Sequence, residues 1–579
     1  MLPVSRFDRA LLATYLRPEW PRAVLLGLLL AAGIGLQLAN PQIAKAFIDR
    51  AQVGEPLQQL IWIAVLFLGV AVLTQAATVA ETYIAEDLGW RTTNALRADL
   101  TRHVLALDAS FHAEHSPGDL IERCDGDVSA IADFFARFVV EVLGSGVFLL
   151  GVLALLWRED WRLGGLLTLV ALVALASMTR GGFVAVRAVA ARQAAADLSG
   201  YLEERLAGLP DLKTSGADAH AIRGLDERLT ARFRRAWAAA MASSVFSAVI
   251  GLLFVLGTGA ALGLSTVLHG TGALTLGTIY LVFRYTGMLR DPLERLSRQM
   301  NSFQQAAGSL VRVRSLLATE AQVADGPGVT FPGGALAVEL EGVTFAYAAK
   351  PVLRAVSFRI APGETLGLLG RTGSGKTTIA RLLFRLHDPS AGTVRLGGAD
   401  LREARLGALR GRVGLVTQDV QLFQGTLREN VTLFNHGVAD ARLRAVFAEL
   451  GLDEWLRALP AGLDTPLGAG GRGLSAGEAQ LVALARVFLK DPGLVVLDEA
   501  SARLDPLTEG LLARAVERLL EGRTGVVIAH RLATVERADR ILILDDGVVA
   551  ECGPRADLER DPSSRFARLL RVGMAEALA

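Results

Sequence analysis

Six apolar stretches, each close to the length of a bilayer crossing, fill the first half of this 579-residue chain and limit its fold more than any other feature. They run over residues 23–39, 60–78, 138–157, 163–178, 245–267 and 274–289. A hydrocarbon core of about 30 Å takes roughly 20 helical residues at 1.5 Å each, and these stretches approach that length almost without internal charge. Core helices of a soluble protein seldom do both, so six membrane-spanning helices are expected. The exception is Arg284, beside Tyr285 in the sixth stretch. A cation at that depth must face protein or water, so Arg284 lines a substrate cavity, snorkels to an interface or makes a structural pair.

Long polar segments, about 86–134 and 180–242, separate the second stretch from the third and the fourth from the fifth. They carry Arg91, Arg97, Arg102 and Arg123 in one, and Arg187, Arg192, Lys213, Arg232, Arg234 and Arg235 in the other. Excess lysine and arginine mark the cytoplasmic side. Both segments and both termini are therefore expected in the cytosol, and the chain in the cytoplasmic membrane. Residues 7–18 read as an amphipathic helix on the membrane surface, and no cleaved signal peptide is expected. Cys124 and Cys552 lie far apart without metal-ligand spacing, which suits a reduced compartment. A net charge of +1 gives no reason to expect a nucleic-acid partner.

Hydrophobic residues make up 51% of the chain, yet the apolar bias ends near residue 295 and the remainder reads as an α/β domain. There, residues 367–370 end a buried strand, and the run GRTGSGKT from Gly370 through Arg371, Thr372, Gly373, Ser374, Gly375 and Lys376 to Thr377 turns into a helix that continues with Thr378. The glycines let backbone N–H groups approach phosphates, and the helix N-terminus adds positive potential. Lys376 is placed to reach the β- and γ-phosphates, and Thr377 to hold Mg²⁺. Further on, the apolar run 494–497 ends in Asp498 and Glu499. Asp498 would hold Mg²⁺ and Glu499 would polarise the attacking water.

The whole set of motifs resembles the ATP-binding cassette domain. Tyr347 in VTFAY, the phosphate loop, Gln418 in LVTQDV, GLSAGE, LVVLDE, Asp505 in SARLD and His530 in VIAHR stand in that family's order. Six preceding spans on the same chain resemble half-transporters of the exporter type. The resemblance implies a dimer with swapped helices and two ATP molecules between head-to-tail nucleotide domains. In that setting Tyr347 would stack on adenine, and Gln418 would sense Mg²⁺ and the γ-phosphate. Ser475 and Gly477, opening a helix that runs to about Lys490, would meet the γ-phosphate bound by the partner subunit. Asp505 would lie at the dimer seam and His530 would contact the γ-phosphate near Glu499. Residues 110–128 and 203–219 resemble the two intracellular loops, with a transverse helix near 116–120 resting on a nucleotide domain.

Two departures matter. The family's LSGGQ is here Leu474, Ser475, Ala476, Gly477 and Glu478, which adds a methyl group and a negative charge near phosphate. Residues 465–470 lack the acidic residue usual in the segment that touches the intracellular helices. With Glu499 and His530 present beside an altered signature segment, a heterodimer with a partner bearing the intact segment is expected, and a homodimer is the alternative.

The expected architecture is a multidomain membrane protein: an all-α six-helix transmembrane domain followed by an α/β P-loop NTPase domain with a helical subdomain. The expected divisions are an interfacial helix over 1–20, the transmembrane domain over 21–315, a linker over 316–335 and the nucleotide-binding domain over 336–579. The expected function is ATP-driven transport by alternating access, with ATP and Mg²⁺ as cofactors. Import in the same architecture, a soluble ATPase and an ATP-gated conduit remain the rivals. A cavity lined by small and aliphatic residues with few charges is expected, which suits a hydrophobic or amphipathic compound, a lipid or a peptide.

Overall fold

The computed structural model describes residues 14–180, 182–347, 350–468, 473–498, 506–529 and 535–572. These fall into two compact units: one takes the residues through Leu105 with Ser116–Thr319, the other Ala106–His115 with the residues from Glu320 onward. Most of the surface helix expected over 7–18 lies outside the described residues.

The first unit is helical. Its main helices are α1 (Trp20–Val53), α2 (Leu57–Ala106), α3 (Gly144–Glu159), α4 (Trp161–Arg180), α5 (Gly182–Ala207), α6 (Asp218–Gly270), α7 (Leu276–Met288) and α8 (Arg290–Leu317). Five helical segments among the described residues are long and apolar enough to cross a membrane. At 50 residues α2 extends about 75 Å, far beyond a bilayer core. Much of the two long polar segments is thus the continuation of spanning helices rather than loop.

The sixth apolar stretch behaves differently. It forms α7, only 13 residues long, because Pro292 has no N–H to offer the Met288 carbonyl one turn back. Leu289 keeps helical dihedrals (φ −73°, ψ −25°) and leads directly into α8. The apolar part alone is therefore too short for a crossing, and the helical path is completed past the proline.

Small residues and a few polar ties hold this unit together, as packing between apolar helices requires. Gly277 lets α7 approach α1: a Cβ there would stand 2.5 Å from the Lys45 carbonyl oxygen. Asp49 accepts from the Gly277 N–H at 2.8 Å and the Thr275 hydroxyl at 2.9 Å, capping the start of α7. Lys45 meets Glu159 at 2.6 Å, tying α1 to α3. Tyr285 is fully buried, and its hydroxyl donates to the Leu38 carbonyl at 2.8 Å.

Among the described residues the second unit has three sheets. One, in the order β2-β1-β4-β5, pairs Val338–Tyr347 (β1) with Lys350–Ile360 (β2) and Ala391–Leu396 (β4), and β4 with Ala399–Asp400 (β5). The central sheet runs β12-β11-β3-β10-β9-β6. Its parallel strands are Thr365–Gly370 (β3), Val413–Val416 (β6), Leu494–Asp498 (β9), Thr524–Ile528 (β10) and Arg540–Asp545 (β11), and Val548–Pro554 (β12) closes one edge antiparallel. Strands buried on both faces read as continuous apolar runs, and all six residues of β3 are buried. A small ribbon pairs Gly425–Thr426 (β7) with Pro466–Leu467 (β8) beside a helical subdomain.

The segment expected as a linker is laid down on this unit. Gly326 and Gly328 donate to the Ala404 and Glu403 carbonyls at 3.1 and 2.9 Å, and Asp325 accepts from the Leu406 N–H at 2.6 Å. The loop segment that belongs to this unit is Ala106–His115, whereas the short helix Pro117–Ile121, at the position expected to rest on a nucleotide domain, falls within the helical unit.

Candidate functional site

Ligands of open parallel sheets gather at the carboxyl ends of the strands, and the register places the motifs there. Ile528 of β10 is level with Leu368 of β3 on one side and Asp498 of β9 on the other. Val416 of β6 is level with Leu497. The phosphate loop, Asp498 and the loop bearing Gln418 therefore leave the same edge of one sheet. Gln418 itself is exposed, two residues past β6.

The phosphate loop has the backbone its glycines allow. Gly370, Gly373 and Gly375 have φ of 150°, 83° and 109°, conformations that side-chain-bearing residues rarely adopt. A Cβ on Gly370 would lie 2.3 Å from the Leu544 carbonyl oxygen. Lys376 opens the helix α9 (Lys376–Leu383), and its ammonium donates to the carbonyls of Gly370 at 2.6 Å and Arg371 at 3.0 Å. The side chain thus lies folded into the loop's own concavity, 5% exposed. Ser374 Oγ is buried inside the same loop without a hydrogen-bond partner among the described residues, a polar atom that a phosphate oxygen would satisfy. Arg371, Thr372 and Gly373 are exposed, as is Thr377 on the first turn of α9, while Thr378 is buried.

Tyr347, the last residue of β1, is half-buried. Its ring stands edge-on to Phe345 and His387, and its hydroxyl accepts from Arg381 Nη1 at 3.0 Å. Burial first, and then the charge of Arg381, push the His387 imidazole below its ordinary pKa. This leaves the aromatic group neutral around Tyr347.

The signature segment opens α10 (Ala476–Lys490) through a reciprocal cap. Ser475 Oγ accepts from the Glu478 N–H at 3.2 Å, and Glu478 Oε2 accepts from the Ser475 N–H at 2.8 Å. Trp455 Nε1 donates to the other carboxylate oxygen at 3.0 Å. Ser475 and Ala476 are exposed and Gly477 is buried. Midway along α10, Arg486 donates to the Gln421 carbonyl at 2.9 Å and the Asn430 carbonyl at 2.7 Å. This ties the signature helix to the loop that follows Gln418. Neither Arg486 nor Trp455 stood out in the sequence, because each is an ordinary residue whose partners are 23 or more positions away.

Glu499, Asp505 and His530 lie outside the described residues. In sequence, Glu499 directly follows the end of β9, and His530 comes two positions after the end of β10.

The helical unit holds two cavities of different character among its described residues. Beside small and apolar residues such as Leu30, Ile34, Ala85 and Gly144, one cavity, between α1, α2, α3 and the α7–α8 junction, carries Glu81, Glu86, Glu141, Asp291 and Arg295, while a second, lined by Ile43, Phe47, Ile48, Phe67 and Tyr280, is apolar as expected. Arg284 is exposed and is part of neither lining.

Residues 24–293 match the ABC transporter transmembrane region, and residues 353–502 match the ABC transporter domain. The "ATP-dependent lipid A-core flippase" of Thiobacillus denitrificans is 32% identical over 573 residues, 96% of each chain. The chain belongs to the ABC transporter family. A protein of the same description from Chromobacterium violaceum is 30% identical, over 98% of this chain and 97% of its own. Among solved structures, one described as "Structure of a bacterial Atm1-family ABC exporter with ATP bound" superposes with a TM-score of 0.79 at 26% identity, covering 96% of this chain and 98% of that one. This ABC transporter is a multi-pass membrane protein with a helical transmembrane domain ahead of an α/β nucleotide-binding domain. It binds ATP and couples its hydrolysis to transport of the exporter type, which does not favour the importer alternative.

Proposed function

We propose that this chain is one half of a dimeric exporter in the bacterial inner membrane, with its nucleotide-binding unit and both termini in the cytosol. It moves an amphipathic compound out of the inner leaflet or the cytosol. The observation that supports the reading most is the common sheet edge: the phosphate loop, Asp498 and the Gln418 loop leave it together, on a chain with long apolar helices.

In this reading Lys376, the loop N–H groups from Gly370 to Gly375 and the hydroxyls of Ser374 and Thr378 cradle the phosphates, and Tyr347 stacks on the base. Thr377, Gln418 and Asp498 hold Mg²⁺, which offsets charge on the phosphate oxygens. Glu499 accepts a proton from the attacking water, and His530 orients the γ-phosphate. Ser475, Gly477 and Asp505 act at the dimer seam. The relatives named as lipid A-core flippases support a lipid-like cargo.

The partner is a second half-transporter that bears the intact signature segment. Glu478 supports this. An anion held on the first turn of α10 offsets the positive end of the helix, so less of that potential is left for a phosphate on the partner. The test is Mg²⁺-dependent ATP hydrolysis by the chain purified alone in lipid, with its mass measured on the same sample. A dimer of identical chains with vigorous hydrolysis would contradict the heterodimer. Negligible hydrolysis that appears when a second half-transporter is added would support it.

A further inference from the structure

The acidic cavity of the helical unit encloses about 530 Å³, inside the range of sites that bury a drug-sized ligand. Four carboxylates, of Glu81, Glu86, Glu141 and Asp291, reach its wall against the single guanidinium of Arg295. With all five ionised the wall has an excess of three negative charges. Leu30, Ile34 and Phe148 supply apolar surface between them.

Glu81 sets this cavity apart from a merely polar cleft. It sits on α2 just past the apolar stretch 60–78 and is 9% exposed. Among the described residues it has no hydrogen bond or ion pair, and Arg295 acts on it only through space. A carboxylate buried at the edge of a membrane helix is costly unless something pairs with it. A cation that enters the cavity would pair with it, and apolar groups beside that cation would cover Leu30, Ile34 and Phe148.

We propose that this cavity is the cargo site and that it takes lipophilic cations. These are compounds with a quaternary ammonium, phosphonium or protonated amine set against Glu81 and apolar groups along Leu30, Ile34 and Phe148. An anionic headgroup would meet like charge from the carboxylates of this wall. The assignment rests on the transport reading above, since it names the cargo of that same transporter.

The experiment uses the full-length protein in discs of neutral phosphatidylcholine, with empty discs subtracted. Binding of radiolabelled tetraphenylphosphonium is compared with that of tetraphenylborate, an ion of the same shape and opposite charge. The expected result is saturable phosphonium binding, about tenfold or more tighter than borate. Glu81→Gln and Asp291→Asn should each weaken phosphonium binding, the first by about tenfold, while Glu81→Asp keeps most of it. Equal binding of the two ions, or unchanged phosphonium affinity in folded Glu81→Gln, overturns the cation site.

ATP hydrolysis on the same discs, with Glu499→Gln as the reference, separates the two readings. Hydrolysis that depends on Glu499 without any charge preference in binding removes the cation site and leaves transport standing. Selective phosphonium binding in a protein that hydrolyses no ATP, alone or with a second half-transporter, removes transport and leaves the cation site standing.

Discussion

Trp455 Nε1 donates a 3.0 Å hydrogen bond to Oε1 of Glu478, joining the helical subdomain to the first turn of α10. Oε2 of the same carboxylate caps the Ser475 N–H at 2.8 Å, so one side chain fixes both the start of the signature helix and its packing. Glu478→Ala should remove both bonds and leave a buried indole N–H unsatisfied. A loss of about 1–3 kcal/mol is expected, read as lower thermal stability of the full-length protein. Glu478→Gln can keep the cap through its one acceptor oxygen but loses the indole bond, and should cost less than the alanine.

The same carboxylate bears on activity. Ala476→Gly combined with Glu478→Gln removes the methyl group and the charge while keeping the cap. Hydrolysis by the chain alone should then rise several-fold over wild type, measured as phosphate release in lipid. No rise would mean that the altered signature segment is not what limits the chain on its own.

Lys376 lies in the phosphate loop against the Gly370 and Arg371 carbonyls. Lys376→Ala removes the cation placed to meet phosphate charge, and hydrolysis should fall by about 10²-fold or more. Lys376→Arg should not rescue it, because a forked guanidinium does not fit the space of a compact ammonium. Titration with a fluorescent ATP analogue distinguishes lost binding from lost chemistry.

Gly370 has φ of 150°, and an added Cβ would stand 2.3 Å from the Leu544 carbonyl oxygen and 2.6 Å from Ser374 Oγ. Gly370→Ala should therefore displace the loop. Nucleotide binding should be lost along with some stability, whereas an alanine at the open position of Gly407, which meets nothing within 4 Å, should have little effect on either.

His387 provides a pH dependence. Its folded-state pKa is depressed by burial and by Arg381, so on acidification the unfolded chain takes up the proton first. The stability it contributes is complete above the ordinary imidazole pKa of about 6.5 and is lost progressively as pH falls below it. Unfolding curves between pH 7.5 and about 5.5 should show this slope, and His387→Gln should reduce it.

Asp127 makes a comparable tie in the helical unit. It is 2% exposed and accepts from Ser309 Oγ and Arg312 Nε, each at 2.8 Å. Burial alone would raise its pKa, but the hydrogen bonds of Arg312 and Ser309 bring it below the usual carboxylate range.

The architecture was legible in the sequence because its signals are periodic or local. Apolar runs report membrane helices, and the glycines of the phosphate loop report one particular backbone. Spacing alone marks Gly370, Lys376 and Asp498, and the strand register brings their elements to one edge. The break after α7 depended on Pro292, which stands just beyond the apolar run. Glu81, Glu141 and Asp291 could not be identified as neighbours. Glu81 lies midway along α2, Glu141 just ahead of α3 and Asp291 in the first turn of α8, and only packing of the bundle brings these distant positions to one wall. In the sequence Glu478 is only a charge near a ligand, and the Trp455 indole that holds it lies 23 positions away.

The central claim, that this chain uses ATP to drive export, is tested most directly by transport in inside-out membrane vesicles. Labelled tetraphenylphosphonium is supplied outside with ATP and Mg²⁺, and its accumulation is followed with wild type and with Glu499→Gln. The account predicts accumulation above the equilibrium level in the wild type, with any required partner coexpressed, and none in the variant. Equal accumulation above the equilibrium level in the two, or such accumulation without ATP, would contradict it.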